Sequence, residues 1–182
     1  MMTKKTYKPT LAITMGDPAG IGPEIAVKAF SNKWVHEKCN PVLIGHAPAI
    51  EKASGITGVK LVLNPIKEIS KTNFKSGLMN IYEIGVQNIF KIKYGEVSAE
   101  AGDIAFRSII KAIELALDKK VDGTVTGPVN KESINKAGYQ FSGHTEIYAH
   151  FTGTQKYAML LAHEDFRVIH VTTHVSLREA CN

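Results

Sequence analysis

The chain of 182 residues has a hydrophobic fraction of 44% and a formal net charge of +5, a globular composition with room for one real core or for part of a two-domain protein. Its lysines are spread, densest at Lys4, Lys5 and Lys8 and from Lys67 to Lys93; no basic block is interleaved with aromatics, which argues against a nucleic-acid partner and leaves a small anionic substrate compatible. Cys39 and Cys181 have no metal-type spacing, the N-terminal MMTKKTYKPT has no apolar stretch behind it and no run reaches membrane-span length, so the reading is a cytoplasmic protein with free thiols and no membrane partner.

Leu11 to Met15 reads as a buried first strand. It runs into Gly16-Asp17-Pro18-Ala19-Gly20-Ile21-Gly22-Pro23-Glu24, and Ile25 to Phe30 continues as a helix whose first turn suits Pro23. The glycines lack the G-x-G-x-x-G spacing of the dinucleotide fingerprint. A strand–glycine loop–helix unit of this kind serves equally as a tight turn or as a ligand loop. Pro41 to Gly45 is a second strand, His46 to Ser54 a helix stopped by Gly55, and Val59 to Leu63 a third strand left through Asn64-Pro65. Leu78 to Ile84 alternates as a strand nearer an edge, while Ile66 to Gly77 and the residues up to Gly95 carry no clear pattern. Ser98 caps the longest helix, with Glu100 in its first turn and Ala105, Ile109, Ala112, Ile113 and Ala116 on one apolar face. The β-α-β alternation predicts an α/β fold, a mostly parallel sheet with helices on both faces.

Val121 to Val125 is predicted as a buried strand ending in Gly127-Pro128. A short polar helix with Lys131 follows, and a glycine-rich turn delivers Ser142-Gly143-His144-Thr145-Glu146 into a helix that Gly153 ends. A strand that empties into a glycine loop and a helix start commonly builds an anion site, because the backbone approaches closely and free N–H groups point at the ligand. The same pattern describes a βα loop whose Ser and Thr merely cap helices. Tyr157 to Ala162 and Phe166 to Thr172, separated by His163-Glu164-Asp165, are predicted antiparallel neighbours, and Ser176 to Ala180 begins a last helix.

Of the seven histidines, His36 and His46 read as surface residues, His150 as half exposed, His163 as a turn residue and His170 as a core residue inside an apolar strand. His174 stands just past a strand end after two threonines, where a neutral imidazole suits metal ligation or acid–base work. One histidine does not make a metal site.

Three segments carry a resemblance. Ile13-Thr14-Met15-Gly16-Asp17-Pro18-Ala19-Gly20-Ile21-Gly22-Pro23-Glu24, then Thr126-Gly127-Pro128-Val129-Asn130-Lys131 with Phe141-Ser142-Gly143-His144-Thr145-Glu146, and finally Thr172-Thr173-His174-Val175-Ser176-Leu177-Arg178 resemble, in this order, the 4-hydroxythreonine-4-phosphate dehydrogenase family of pyridoxal phosphate biosynthesis. The first segment is also similar to the G-D-x-I-G-P-E element of isocitrate and isopropylmalate dehydrogenases. The resemblance implies their three-layer fold, present here in part. It implies oxidation of the secondary hydroxyl of 4-phosphohydroxy-L-threonine by NAD or NADP, and loss of carbon dioxide from the β-keto acid to give 3-amino-2-oxopropyl phosphate. By the same resemblance His144 and Thr145 fall on the substrate-binding pair, and His174 on the first of three histidines for a divalent metal (Zn, Mg or Co). The assembly implied is a homodimer. No residue is assigned to catalysis or to the cofactor.

Family members run well beyond this length, and their other two metal histidines lie downstream. The expectation is therefore that residues 1–182 are the N-terminal portion of a two-domain dehydrogenase, with the first domain incomplete and running into the second, and inactive alone. Three alternatives accompany it: a paralogous dehydrogenase for D-threonate or D-erythronate 4-phosphate, a phosphotransacetylase-like acyltransferase, and an inert fragment.

Overall fold

Five short runs become parallel strands, and helices cross back between most of them. The computed structural model describes residues 7–75, 77–85, 92–172 and 175–181. Strands β1 (Thr10–Thr14), β2 (Asn40–Gly45), β3 (Val62–Ile66), β4 (Leu78–Glu83) and β5 (Gly123–Val125) lie in the order β3-β4-β2-β1-β5, with every neighbouring pair parallel. Parallel neighbours need crossover connections. Helices α1 (Gly22–Ser31) and α2 (Lys33–Lys38) join β1 to β2, α3 (Ala47–Thr57) joins β2 to β3, and α4 (Ala99–Leu117) joins β4 to β5. Strands β3 and β4 are joined by residues 67–77, where the only regular element among the described residues is a 3-10 turn at Ile69–Lys71.

Val42, Leu43 and Ile44 in succession are fully buried, the mark of a strand covered on both faces. Side chains alternate along a strand, so these three divide between two cores. Leu43 joins Met79 and Ile81 beneath Ala26, Val27 and Phe30 of α1 and Ile50 and Ala53 of α3. Val42, Ile44 and Ala12 meet Ala112 and Leu115 of α4. The outer side of α4, through Phe106, Ile109 and Ile113, is covered by Ile134 of α5 (Lys131–Lys136) and Ile147 of α6 (His144–Thr152). The predicted α/β architecture with helices on both faces is what forms.

Strands β6 (Leu160–His163) and β7 (Phe166–Ile169) pair antiparallel, as predicted, in a separate two-stranded sheet. Leu160, Phe166 and Ile169 on them are exposed. A last turn of helix, α7 (Leu177–Ala180), carries a reciprocal capping box between Ser176 and Glu179. Among the described residues no helix is long and apolar enough to cross a membrane.

Several elements differ from expectation: β5 begins at Gly123 with Val125 exposed, where a buried strand from Val121 was expected, β6 begins at Leu160 instead of Tyr157, and β7 ends at Ile169 instead of Thr172. Helix α2 was not foreseen; Asn32 starts it by accepting from Trp34 N. Strand β3 begins three residues later than expected and includes Pro65, which an edge strand tolerates because one of its sides is unpaired. Strand β4 is an interior strand, lying between the edge strand β3 and β2. Helix α3 runs through Gly55 and stops at Gly58, whose φ of 68° is left-handed. Gly55 is therefore an exposed glycine in a helix interior, with open space around its Cα. Gly55→Ala is expected to stabilise the protein by about 1 kcal/mol, measurable as a rise in the denaturant midpoint without a change in slope.

Candidate functional site

In open parallel sheets a ligand crevice lies outside the carboxyl ends of the strands, where the strand order reverses. Here the chain moves from β1 toward β3 on one side, then returns to place β5 on the other side of β1. The loops leaving β1 and β5 are the first two motif segments, and they are stitched together. Gly127 N donates to Thr14 Oγ1 at 3.0 Å and to Thr14 O at 3.1 Å, and Asp17 N donates to Pro128 O at 2.9 Å. A Cβ on Gly127 would sit 2.6 Å from Thr14 O. Gly16 and Gly127 thus serve close backbone packing, whereas Gly20 borders a crevice of about 240 Å³ with Asp17, Ile21, Glu96, Val129 and Asn130.

Asp17 is the buried charge of this crevice. Burial pushes its carboxyl up, against the N–H groups of Ala19 and Gly20 and the Ser133 hydroxyl, which favour the charged form. Ala19 N donates to Oδ1 at 2.7 Å. Ser133 Oγ is buried and has no well-formed hydrogen bond of its own.

Beside the crevice, a second cavity of about 350 Å³ opens between the start of α5, the start of α6 and the β6–β7 hairpin. Lys131, Ser142, Thr145, Glu146, Tyr157 and His170 are among its lining residues. Asn130 caps α5 by accepting from Ser133 N at 2.9 Å, which fixes where Lys131 begins. Gly143 precedes α6 without a side-chain cap. A larger cavity of about 460 Å³, bordered by Lys67, Ile69, Tyr82, Leu115 and Lys120, lies away from all three motif segments.

The predicted pair divides. Thr145 lines the second cavity, while His144 is not among its lining residues and its ring lies against the Gly127 backbone. Burial pushes the His144 pKa down, outweighing the backbone contact that favours the charged ring, and Nε2 is buried without a partner. The sign for stability follows directly. The unfolded chain takes up the proton near its ordinary pKa of about 6.5, whereas the folded protein resists it. The contribution is fully present above that value and is lost as pH falls through the lower folded pKa. Denaturant titrations at pH 7.5 and 5.5 are expected to show a smaller acid-side loss in His144→Gln than in the unaltered chain.

His174 lies outside the described residues. Among those described, no group of three His, Cys, Asp or Glu side chains is placed to hold a metal ion. Two other histidines depart from expectation. His170, expected in a core, is half-buried at the end of β7 and lines the second cavity. His46, expected at the surface, is buried at the end of β2, its Nδ1 2.5 Å from Glu83 Oε1 at the end of β4. Glu83 Oε2 also accepts from Ala47 N, and His46 Nε2 has no partner. Local sequence carries no signal for that pairing, since the two residues are 37 apart.

A parallel α/β sheet with motif loops converging at its carboxyl ends is the architecture of the dehydrogenases that this chain superposes on. The 4-hydroxythreonine-4-phosphate dehydrogenase of Burkholderia phymatum matches with a TM-score of 0.89 and 37% identity, over 96% of this chain and 52% of that one. The Klebsiella pneumoniae enzyme of the same name matches with a TM-score of 0.88 and 37% identity, over 97% and 53%. The D-threonate 4-phosphate dehydrogenase of Cupriavidus necator is 41% identical over 174 residues, which are 96% of this chain and 52% of that protein. Residues 37–182 match the family model described as pyridoxal phosphate biosynthetic protein PdxA, and the chain belongs to that family. It spans about half the length of the curated relatives that it matches.

Proposed function

We propose that this chain forms the N-terminal portion of a two-domain, nicotinamide-dependent dehydrogenase that oxidises the secondary hydroxyl of a phosphorylated four-carbon hydroxy acid. Membership of the PdxA family over residues 37–182 is the observation that carries this reading. The substrate proposed is 4-phosphohydroxy-L-threonine. Hydride leaves the carbinol carbon for NAD or NADP as the hydroxyl proton departs, and the ketone formed stands β to the carboxylate. Carbon dioxide is then lost, its bonding pair passing into the enolate, and protonation gives 3-amino-2-oxopropyl phosphate, a step of pyridoxal phosphate biosynthesis. The 41% identity to the Cupriavidus necator enzyme favours a second reading, D-threonate 4-phosphate, which carries a hydroxyl in place of the amino group next to the carboxylate.

Thr145 and His144 are proposed to hold the substrate. Thr145 lines the cavity, and the depressed pKa of His144 keeps its ring neutral at neutral pH, with Nε2 still without a partner. The crevice at β1 and β5 is bordered by the uncrowded Cα of Gly20, and its roughly 240 Å³ suits one part of a dinucleotide. The described residues do not by themselves fit a divalent metal (Zn, Mg or Co). A ligand role for His174 predicts a loss of metal content in His174→Ala by elemental analysis. A homodimer belongs to the same reading, and light scattering tests it.

The deciding assay follows nicotinamide reduction by a protein that contains this chain at the full length of its relatives, with each phosphorylated acid and its unphosphorylated counterpart. Reduction that requires the phosphoryl group is expected. Absence of reduction with both phosphorylated acids would overturn the reading.

A further inference from the structure

The cavity between α5, α6 and the hairpin has two nitrogen-bearing walls to which no role has been given. Lys131 opens α5 on one side, and His170 closes β7 on the other. Lys131 forms no ion pair among the described residues. Its stem runs past Gly143, where a Cβ would stand 3.8 Å from Lys131 Cε. The absence of a side chain at Gly143 keeps the space beside the ammonium clear. Ser142 and Thr145 line the same cavity. One carboxylate opposes them: Glu146 also faces this space, with Oε2 3.5 Å from the same Cβ position.

We propose that Lys131 and His170 are the donor walls of an oxyanion site that receives the phosphoryl group of the substrate, an assignment that rests on the dehydrogenase reading above. A phosphoryl group offers three acceptor oxygens and close to two negative charges. An ammonium supplies donors in three directions, and hydroxyls and a ring N–H complete the shell. Hydrogen bonds to such a charged group are the strong ones. Glu146 sits where it penalises any anion that does not reach Lys131, so it selects for position as much as for charge.

The test is a titration of the purified chain with inorganic phosphate, followed by NMR shifts of backbone amides and histidine ring protons. Shifts should concentrate at Lys131, Gly143, Thr145 and His170. Lys131→Ala should weaken phosphate binding about tenfold, the loss of one charge-assisted hydrogen bond, with Lys131→Arg restoring most of it. His170→Gln should weaken it several-fold. Glu146→Gln should tighten it, a change of sign that no loss of structure would produce. Phosphate binding unaltered in Lys131→Ala, or shifts confined to other regions, would overturn the assignment. The two proposals separate cleanly. If 4-phosphohydroxy-L-threonine or D-threonate 4-phosphate binds with equal affinity to the unaltered, Lys131→Ala and His170→Gln chains, the assignment of these residues falls and the dehydrogenase reading stands. If phosphate engages the cavity as described but the full-length protein reduces no nicotinamide with either phosphorylated acid, the dehydrogenase reading falls, and what stands is a phosphate site at Lys131 and His170 without that substrate.

Discussion

Replacing Gly102 with alanine is expected to destabilise the protein by about 3 kcal/mol or more, although alanine is the better helix former. Gly102 lies in the first turn of α4, where α5 crosses so closely that a Cβ would stand 1.9 Å from Ser133 O and 2.6 Å from Ile134 N. Both are backbone atoms, so no side-chain rotation relieves the clash, and the two helices must separate. Separation opens the cluster of Phe106, Ile109, Ile134 and Ile147. It also shifts Ser133 from the Asp17 carboxyl and moves the start of α5, which carries Lys131. Propensity alone would give the opposite sign, about 1 kcal/mol of stabilisation, as expected for Gly55. Thermal unfolding of the two variants side by side checks this: Gly102→Ala should melt roughly 10 °C lower than the unaltered chain, and Gly55→Ala slightly higher.

The second large effect is expected at Gly16. Its φ is +80°, and a Cβ there would stand 2.3 Å from Pro128 O. Alanine at this position meets a left-handed backbone, which costs about 1–2 kcal/mol, and also a collision with the loop after β5. Gly58 provides the comparison, because its φ is +68° and its surroundings are open. Gly58→Ala should cost about 1 kcal/mol, and Gly16→Ala about 3 kcal/mol or more. The difference between them measures how tightly the two motif loops are pressed together. Denaturant unfolding of both variants reads it, and equal costs would show that the loops part without penalty.

The sheet was legible in the sequence where burial and local pattern agree. The apolar run of β2 has both faces covered, and the stripe of α4 beginning at the Ser98 cap needed nothing from afar. Strand β4 misled because its polar residues look like a solvent face. Asn80 is instead buried in an amide cluster. Asn64 Nδ2 and Asn73 N both donate to its Oδ1, and its own Nδ2 donates to Asn73 O. Glu83, the other polar residue of the strand, is engaged with His46. A polar side chain satisfied by a distant partner is indistinguishable, in a single sequence, from one facing water. The same holds at the site. The loop glycines were legible as a place of close approach, but their division of labour was not. Gly16 and Gly127 press on backbone while Gly20 borders open space, and that depends on where β5 docks. His170 read as a core residue because β7 is apolar, yet that hairpin lies off the main sheet with most of its side chains exposed.

The pairing of β1 with β5 also sets a clock on synthesis. Leu11 and Gly123 are partners in the ladder although 112 residues separate them. At a translation rate of 5–20 residues per second, roughly 6–22 s pass between the emergence of one and the emergence of the other. During that interval β1 can pair with β2 on one side while its other edge shows a row of unpaired N–H and C=O groups, the kind of surface that recruits foreign strands. The motif loop after β1 waits equally long for Pro128 and Gly127 to lock it. A nascent chain halted before β5 should therefore be a chaperone client, with Gly16 to Gly22 open to protease. Extension past Pro128 should close both vulnerabilities in a single step.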